Sequence, residues 1–91
     1  MKRKPPKHNP ILKAVYLEAV DIQLRDDTPP QTRQTLERLL REGFSDKDAK
    51  VLIASAIATE SYYILKFGKP FNHERFIRNL QRLPDQSFDD E

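Results

Sequence analysis

Seven prolines and two glycines punctuate this 91-residue chain, and they stand at the edges of its apolar-periodic segments rather than inside them. The prolines are at 5, 6, 10, 29, 30, 70 and 84 and the glycines at 43 and 68. A proline within a helix removes a hydrogen bond and clashes with the preceding turn, so breakers confined to the boundaries leave the intervening segments free to be helical. Tight hairpins need residues that accept positive φ, and two glycines supply few of them. No stretch alternates polar and apolar residues for long, so a sheet is not predicted. The chain reads as all-α, a small four-helix bundle with short connections around one core.

Four helix starts and stops are written in the residue types. Asn9 is a good N-cap and Pro10 suits the first helical position, which predicts a helix over Pro10 to Asp26. Thr28-Pro29-Pro30-Gln31 reads as a cap, prolines in the first turn and a capping-box glutamine, with Gly43 ending that second helix. Ser45 and Asp48 repeat the capping logic for a third helix that meets no breaker before Gly68. Asn72 caps a short fourth helix, and Phe71 and Phe76 have the spacing of a hydrophobic staple. Short connections predict that consecutive helices pack roughly antiparallel.

The periodic apolar residues predict the core. Leu36, Leu39 and Leu40 form the stripe of the second helix, and Phe76, Ile77, Leu80 and Leu83 that of the fourth. The third carries Ala49, Leu52, Ile53, Ala56, Ile57, Tyr63, Ile64 and Phe67, with Ala54, Ala56 and Ala58 small enough for close helix approach; it is placed at the centre. The first helix is apolar over most of its circumference, with Glu18, Asp21 and Arg25 on one narrow polar stripe. So wide an arc calls for partners on two sides.

Charge is polarised along the chain beneath a net +2. Residues 1–8 form a basic tail with Lys2, Arg3, Lys4 and Lys7, residues 9–84 the helical domain, and residues 85–91 an acidic tail; both tails are predicted to be flexible. The absence of cysteine removes disulfides, thiolate metal sites and cysteine nucleophiles, and permits a reducing compartment. No apolar run approaches the roughly 20 residues of a bilayer span, and the basic N-terminus is not followed by a signal-peptide pattern. A soluble cytoplasmic protein without membrane contact is predicted.

Candidate functional residues are few. Glu60 falls where the stripe of the third helix calls for an apolar group, and a buried carboxylate must find hydrogen bonds, a cation or a proton. It pairs with a tyrosine hydroxyl or an arginine at the bundle edge, or it contacts a ligand or metal. Only His8 and His73 offer imidazoles and no pair sits four apart, so no metal site or cofactor is assigned. No serine has a histidine in a motif, and there is no glycine-rich phosphate loop.

Tyr62 and Tyr63 are adjacent and cannot both face the core; with Tyr16 and the broad arc of the first helix they imply surplus apolar surface, the mark of a partner or self-association surface. The basic tail, with Arg75, Arg78 and Arg82 assigned to the outer side of the fourth helix, is the alternative surface, for nucleic acid. Glu42-Gly43-Phe44-Ser45 looks like the turn of a helix-turn-helix, and like the loop of small ubiquitin-binding domains. Both would require a break near Ser55 to Thr59 that the sequence lacks.

Taken in order, Asn9-Pro10, Glu18, Gln23-Leu24, Asp26-Asp27-Thr28-Pro29-Pro30, Arg38-Leu39-Leu40, Gly43-Phe44, Glu60, Phe71, Glu74-Arg75-Phe76, Leu80 and Leu83-Pro84 resemble a family of small bacterial all-helical domains of unknown function. The resemblance covers about residues 9 to 84. Many members of that family carry two histidines on the first helix and one early in the third; here Lys13, Leu17 and Val51 occupy those positions while Glu60 stays. The resemblance therefore implies a polar site reduced to Glu18 and Glu60, with Lys13 placed to pair with one of them. The function read from the chain is a non-catalytic protein-interaction or regulatory module. Nucleic-acid binding is the first alternative, and a metal-dependent activity centred on Glu60 the second.

Overall fold

The computed structural model describes residues 10–86, which form four helices in chain order: α1 (Pro10–Asp26), α2 (Pro30–Arg41), α3 (Asp46–Phe67) and α4 (His73–Arg82). No strand occurs among the described residues. The tails at residues 1–8 and 87–91, and the cap assigned to Asn9, lie outside the described residues. Asp85 and Gln86, read as the start of the acidic tail, are attached to the fold: Asp85 N–H donates to the Arg82 carbonyl at 2.9 Å and Gln86 Nε2 to Ser55 Oγ at 2.9 Å.

Most boundaries follow local chemistry. Ser45 Oγ accepts from Asp48 N–H at 3.0 Å and Asn72 Oδ1 from Arg75 N–H at 2.9 Å, satisfying donors left over at the starts of α3 and α4. Gly43, at φ 104, closes α2 with Gly43 N–H on the Leu40 carbonyl and Phe44 N–H on that of Leu39. Gly68, at φ 67, ends α3. Rings of Phe71 and Phe76 meet at 5.4 Å, the staple read from their spacing.

The start of α2 departs from expectation. A residue preceding proline is disfavoured in helical geometry, so Pro29 before Pro30 stays extended (φ −82, ψ 159) and becomes the N-cap itself. Thr28 does not cap; its hydroxyl donates to the Asp26 carbonyl at 3.0 Å. Asp27 takes the left-handed position that ends α1, at φ 54, a conformation aspartate tolerates better than most residues.

The core comprises Val20 of α1, Leu36 and Leu39 of α2, Ala49, Ile53, Ala54, Ala56 and Ile57 of α3, Phe76 and Leu80 of α4, and Leu83 just beyond it. Each fully hidden large side chain contributes about 1.5–3 kcal/mol relative to exposure. The alanines let neighbours approach α3, which runs unbroken for 22 residues; no break occurs near Ser55 to Thr59. Both α2 and α3 touch all the other helices, whereas α1 and α4 do not meet. With α4 out of reach, much of the broad apolar arc of α1 stays open. Leu40, expected in the core, is 41 % exposed, because the inner face of α2 turns Thr32, Thr35, Leu36 and Leu39 inward.

Candidate functional site at the junction of α3 and α4

The carboxylate of Glu60 is completely buried, one turn past the apolar stretch that ends at Ile57. Its Oε2 accepts from Arg75 Nε at 2.6 Å, and its Oε1 accepts from Arg75 Nη2 at 3.0 Å and from the Asn72 backbone N–H at 3.0 Å. The fork of a guanidinium matches a carboxylate edge, so the contact fixes orientation as well as charge. Arg75 is itself buried, and its guanidinium lies 4.0 Å from the centre of the Tyr63 ring. Cation, carboxylate and aromatic face thus form one stack that seats the first turn of α4 on α3.

Of a tyrosine hydroxyl and an arginine, the two partners expected for Glu60 at the bundle edge, the structure has the arginine, and the Lys13 pairing implied by the resemblance does not occur. This corrects the placement of Arg75, which was assigned with Arg78 and Arg82 to the outer side of α4. A buried carboxylate far from water binds the nearest cation that can follow it inside. The residues Arg75, Phe76, Asn79 and Leu80 form the single buried face of α4, so Arg75 cannot serve a solvent-facing basic surface. Arg78 is exposed and Arg82 half-buried; Lys2, Arg3, Lys4 and Lys7 lie outside the described residues.

Beyond this stack the last turns of α3 carry an aromatic cluster. Tyr63 and Phe67 stack at 5.8 Å, Tyr62 meets Tyr63 edge-on at 5.4 Å, and the Lys66 ammonium lies 5.5 Å from the Tyr62 ring and 5.7 Å from that of Phe67. On the facing side Phe71 contacts His73 at 4.8 Å. Between the two walls opens a cleft of about 590 Å³, with Pro70, Lys69 and Glu74 also on its lining. That volume falls in the range of small binding sites.

The outer rim of the cluster is unusually apolar. Tyr62 is 51 %, Phe67 52 % and Leu65 83 % exposed. Tyr16 is half-buried against the core, while Lys13 and Glu18 are exposed on α1 and take no part in the Glu60 contacts. No group of three or more His, Cys, Asp or Glu side chains able to hold a metal ion exists among the described residues. With both carboxylate oxygens engaged, Glu60 acts as a structural clamp. The chemistry offered to a visitor is the aromatic faces of Tyr63, Phe67 and Phe71, the Lys69 ammonium and the His73 and Glu74 side chains, with the Lys66 ammonium beside the Tyr62 and Phe67 rings.

The sequence reading missed Arg75 as the partner of Glu60, and it missed the cleft. A signal for the first was present: positions 75, 76, 79, 80 and 83 lie on one face of a helix, so a buried apolar stripe that includes Phe76, Leu80 and Leu83 carries Arg75 and Asn79 inward with it.

The site and fold define a small all-α protein with a clamped aromatic cleft. Compared with family models, with curated proteins and with solved structures, the chain matches none. No helix among the described residues is long and apolar enough to cross a membrane.

Proposed function

We propose that this chain is a non-catalytic protein-interaction module of the bacterial cytoplasm, and that it docks a partner on the end of α3 and the adjoining cleft. One observation carries the reading: Tyr62, Leu65 and Phe67 expose large apolar surface together on two turns of a helix that the Glu60–Arg75 clamp ties to α4. Contiguous apolar surface on a folded domain is the usual mark of a docking site, and a preorganised one loses less entropy on binding. Lys66 and Lys69 at its rim favour a partner with apolar or aromatic anchors beside carboxylates.

The resemblance to small bacterial helical domains and the absence of cysteine support the setting. The nucleic-acid alternative loses Arg75 to the clamp and keeps only Arg78 and Arg82 within the described residues.

The test is selection of peptides on the intact protein with counter-selection on Leu65→Glu, a change at an exposed position that leaves the core alone. Selected peptides are expected to combine aromatic or aliphatic anchors with Asp and Glu, and to bind more weakly as salt rises. Peptides that bind Leu65→Glu equally well would remove the support for this surface.

A further inference from the structure

A second apolar surface lies on α1, far from the clamp in sequence and built from different residues. Leu12, Val15, Ala19 and Ile22 recur at spacings of three, four and three, which sets them on one stripe with the periodicity of a helix-pairing seam. The stripe lies mostly outside the side of α1 that buries Val20: Leu12 is 51 %, Val15 53 % and Ile22 40 % exposed, while Ala19 is half-buried and packs against the core at the inner edge of the stripe. Of the other helices only α2 and α3 touch α1, and Val15 and Ile22 stay exposed beside those contacts.

We propose that the stripe is a self-association surface, paired side by side and in the same direction with the stripe of a second copy. The inference goes beyond docking at α3 and uses none of its residues. Its argument for a second copy is the chemistry of the edges. Glu18 flanks the seam on one side, and Tyr16 and Gln23 flank it on the other. In the parallel alignment the residue at the first edge faces the position five further along on the neighbour, so Glu18 meets Gln23 and a carboxylate meets an amide. Gln23 Oε1 already accepts from Thr32 Oγ1 at 2.7 Å, which orients its NH₂ as the donor still to be used. The reversed alignment would instead set Glu18 beside Glu18, like against like. Three turns of one helix cover less than the roughly 800 Å² per partner of a standard stable interface, so the association is weak and concentration-dependent.

The chain has no cysteine, so a single Val15→Cys substitution is a clean reporter. Sedimentation equilibrium on the full chain should show the mass climbing from one copy toward two between about 10 μM and 1 mM. Val15→Cys should form a covalent dimer under mild oxidation, because Val15 faces its own counterpart in the parallel seam, whereas Leu65→Cys should not. Val15→Glu should stay monomeric with an unchanged far-ultraviolet circular dichroism spectrum; Ile22→Gln repeats the test if that variant folds poorly.

A wild-type chain still monomeric at the top concentration overturns the proposal. So does crosslinking at position 65 in place of 15, or undiminished association of both seam variants. Peptide capture at α3 by a monomeric wild type would overturn this inference alone. A dimer that captures no peptide would overturn the docking reading alone.

Discussion

Removing Arg75 tests the clamp most directly, because the same substitution converts a satisfied buried carboxylate into an orphan. In Arg75→Met the methionine keeps most of the apolar stem. Among the described residues Glu60 loses two of its three hydrogen bonds and its counter-charge, keeping the Asn72 N–H. Breaking a buried ion pair from one side costs about 3–5 kcal/mol, against a total stability of about 5–14 kcal/mol for a chain of this length. With about 4–8 °C lost per kcal/mol in domains of this size, the midpoint of thermal unfolding should fall by roughly 12 °C or more.

Urea unfolding at pH 7 reads the loss. The double variant Glu60→Leu/Arg75→Met should recover to within about 1 kcal/mol of wild type, since an apolar pair of similar volume often replaces a buried ion pair without loss. A single-variant cost under about 1 kcal/mol, or a double variant equal to the sum of the singles, would refute the reasoning.

Two further perturbations test other parts of the packing. Asn79 is fully buried, with neither amide atom hydrogen-bonded, so Asn79→Leu should raise stability by about 1 kcal/mol in urea unfolding; a loss of that size would show that the amide is satisfied after all. Lys50 bridges Asp21 at 3.2 Å and Asp46 at 3.3 Å, and the bond to Asp21 is the first cause of a raised lysine pKa, opposed by desolvation. A raised folded value means that the contribution is fully present below the unfolded pKa near 10.4 and is lost as pH climbs through the folded one. Both carboxylates are well exposed, so Lys50→Met should cost about 1 kcal/mol or less at pH 7, with the gap to wild type closing above pH 10.5.

Most of what depends on near neighbours in the chain was legible in the residue order. Caps at Ser45 and Asn72, stops at Gly43 and Gly68, the Phe71–Phe76 staple and the unbroken length of α3 each need only a few consecutive residues to specify them. Even the anomaly of Glu60 was visible, because a carboxylate interrupts an apolar period. The start of α2 was misread where two local rules competed, and the restriction imposed by Pro30 on Pro29 outweighed the capping chemistry of Thr28.

Which cation follows Glu60 inside, and which half of an apolar arc stays wet, are decided by contacts between residues far apart in the chain. Arg75 lies fifteen residues from Glu60 and turns inward because Phe76 and Leu80 bury the same face of α4. Leu12, Val15 and Ile22 remain exposed because α4 packs on α2 and α3 and never reaches α1. Periodicity states how much apolar surface a helix owns; only the arrangement of the four helices allots the cover, since each has a limited perimeter to share.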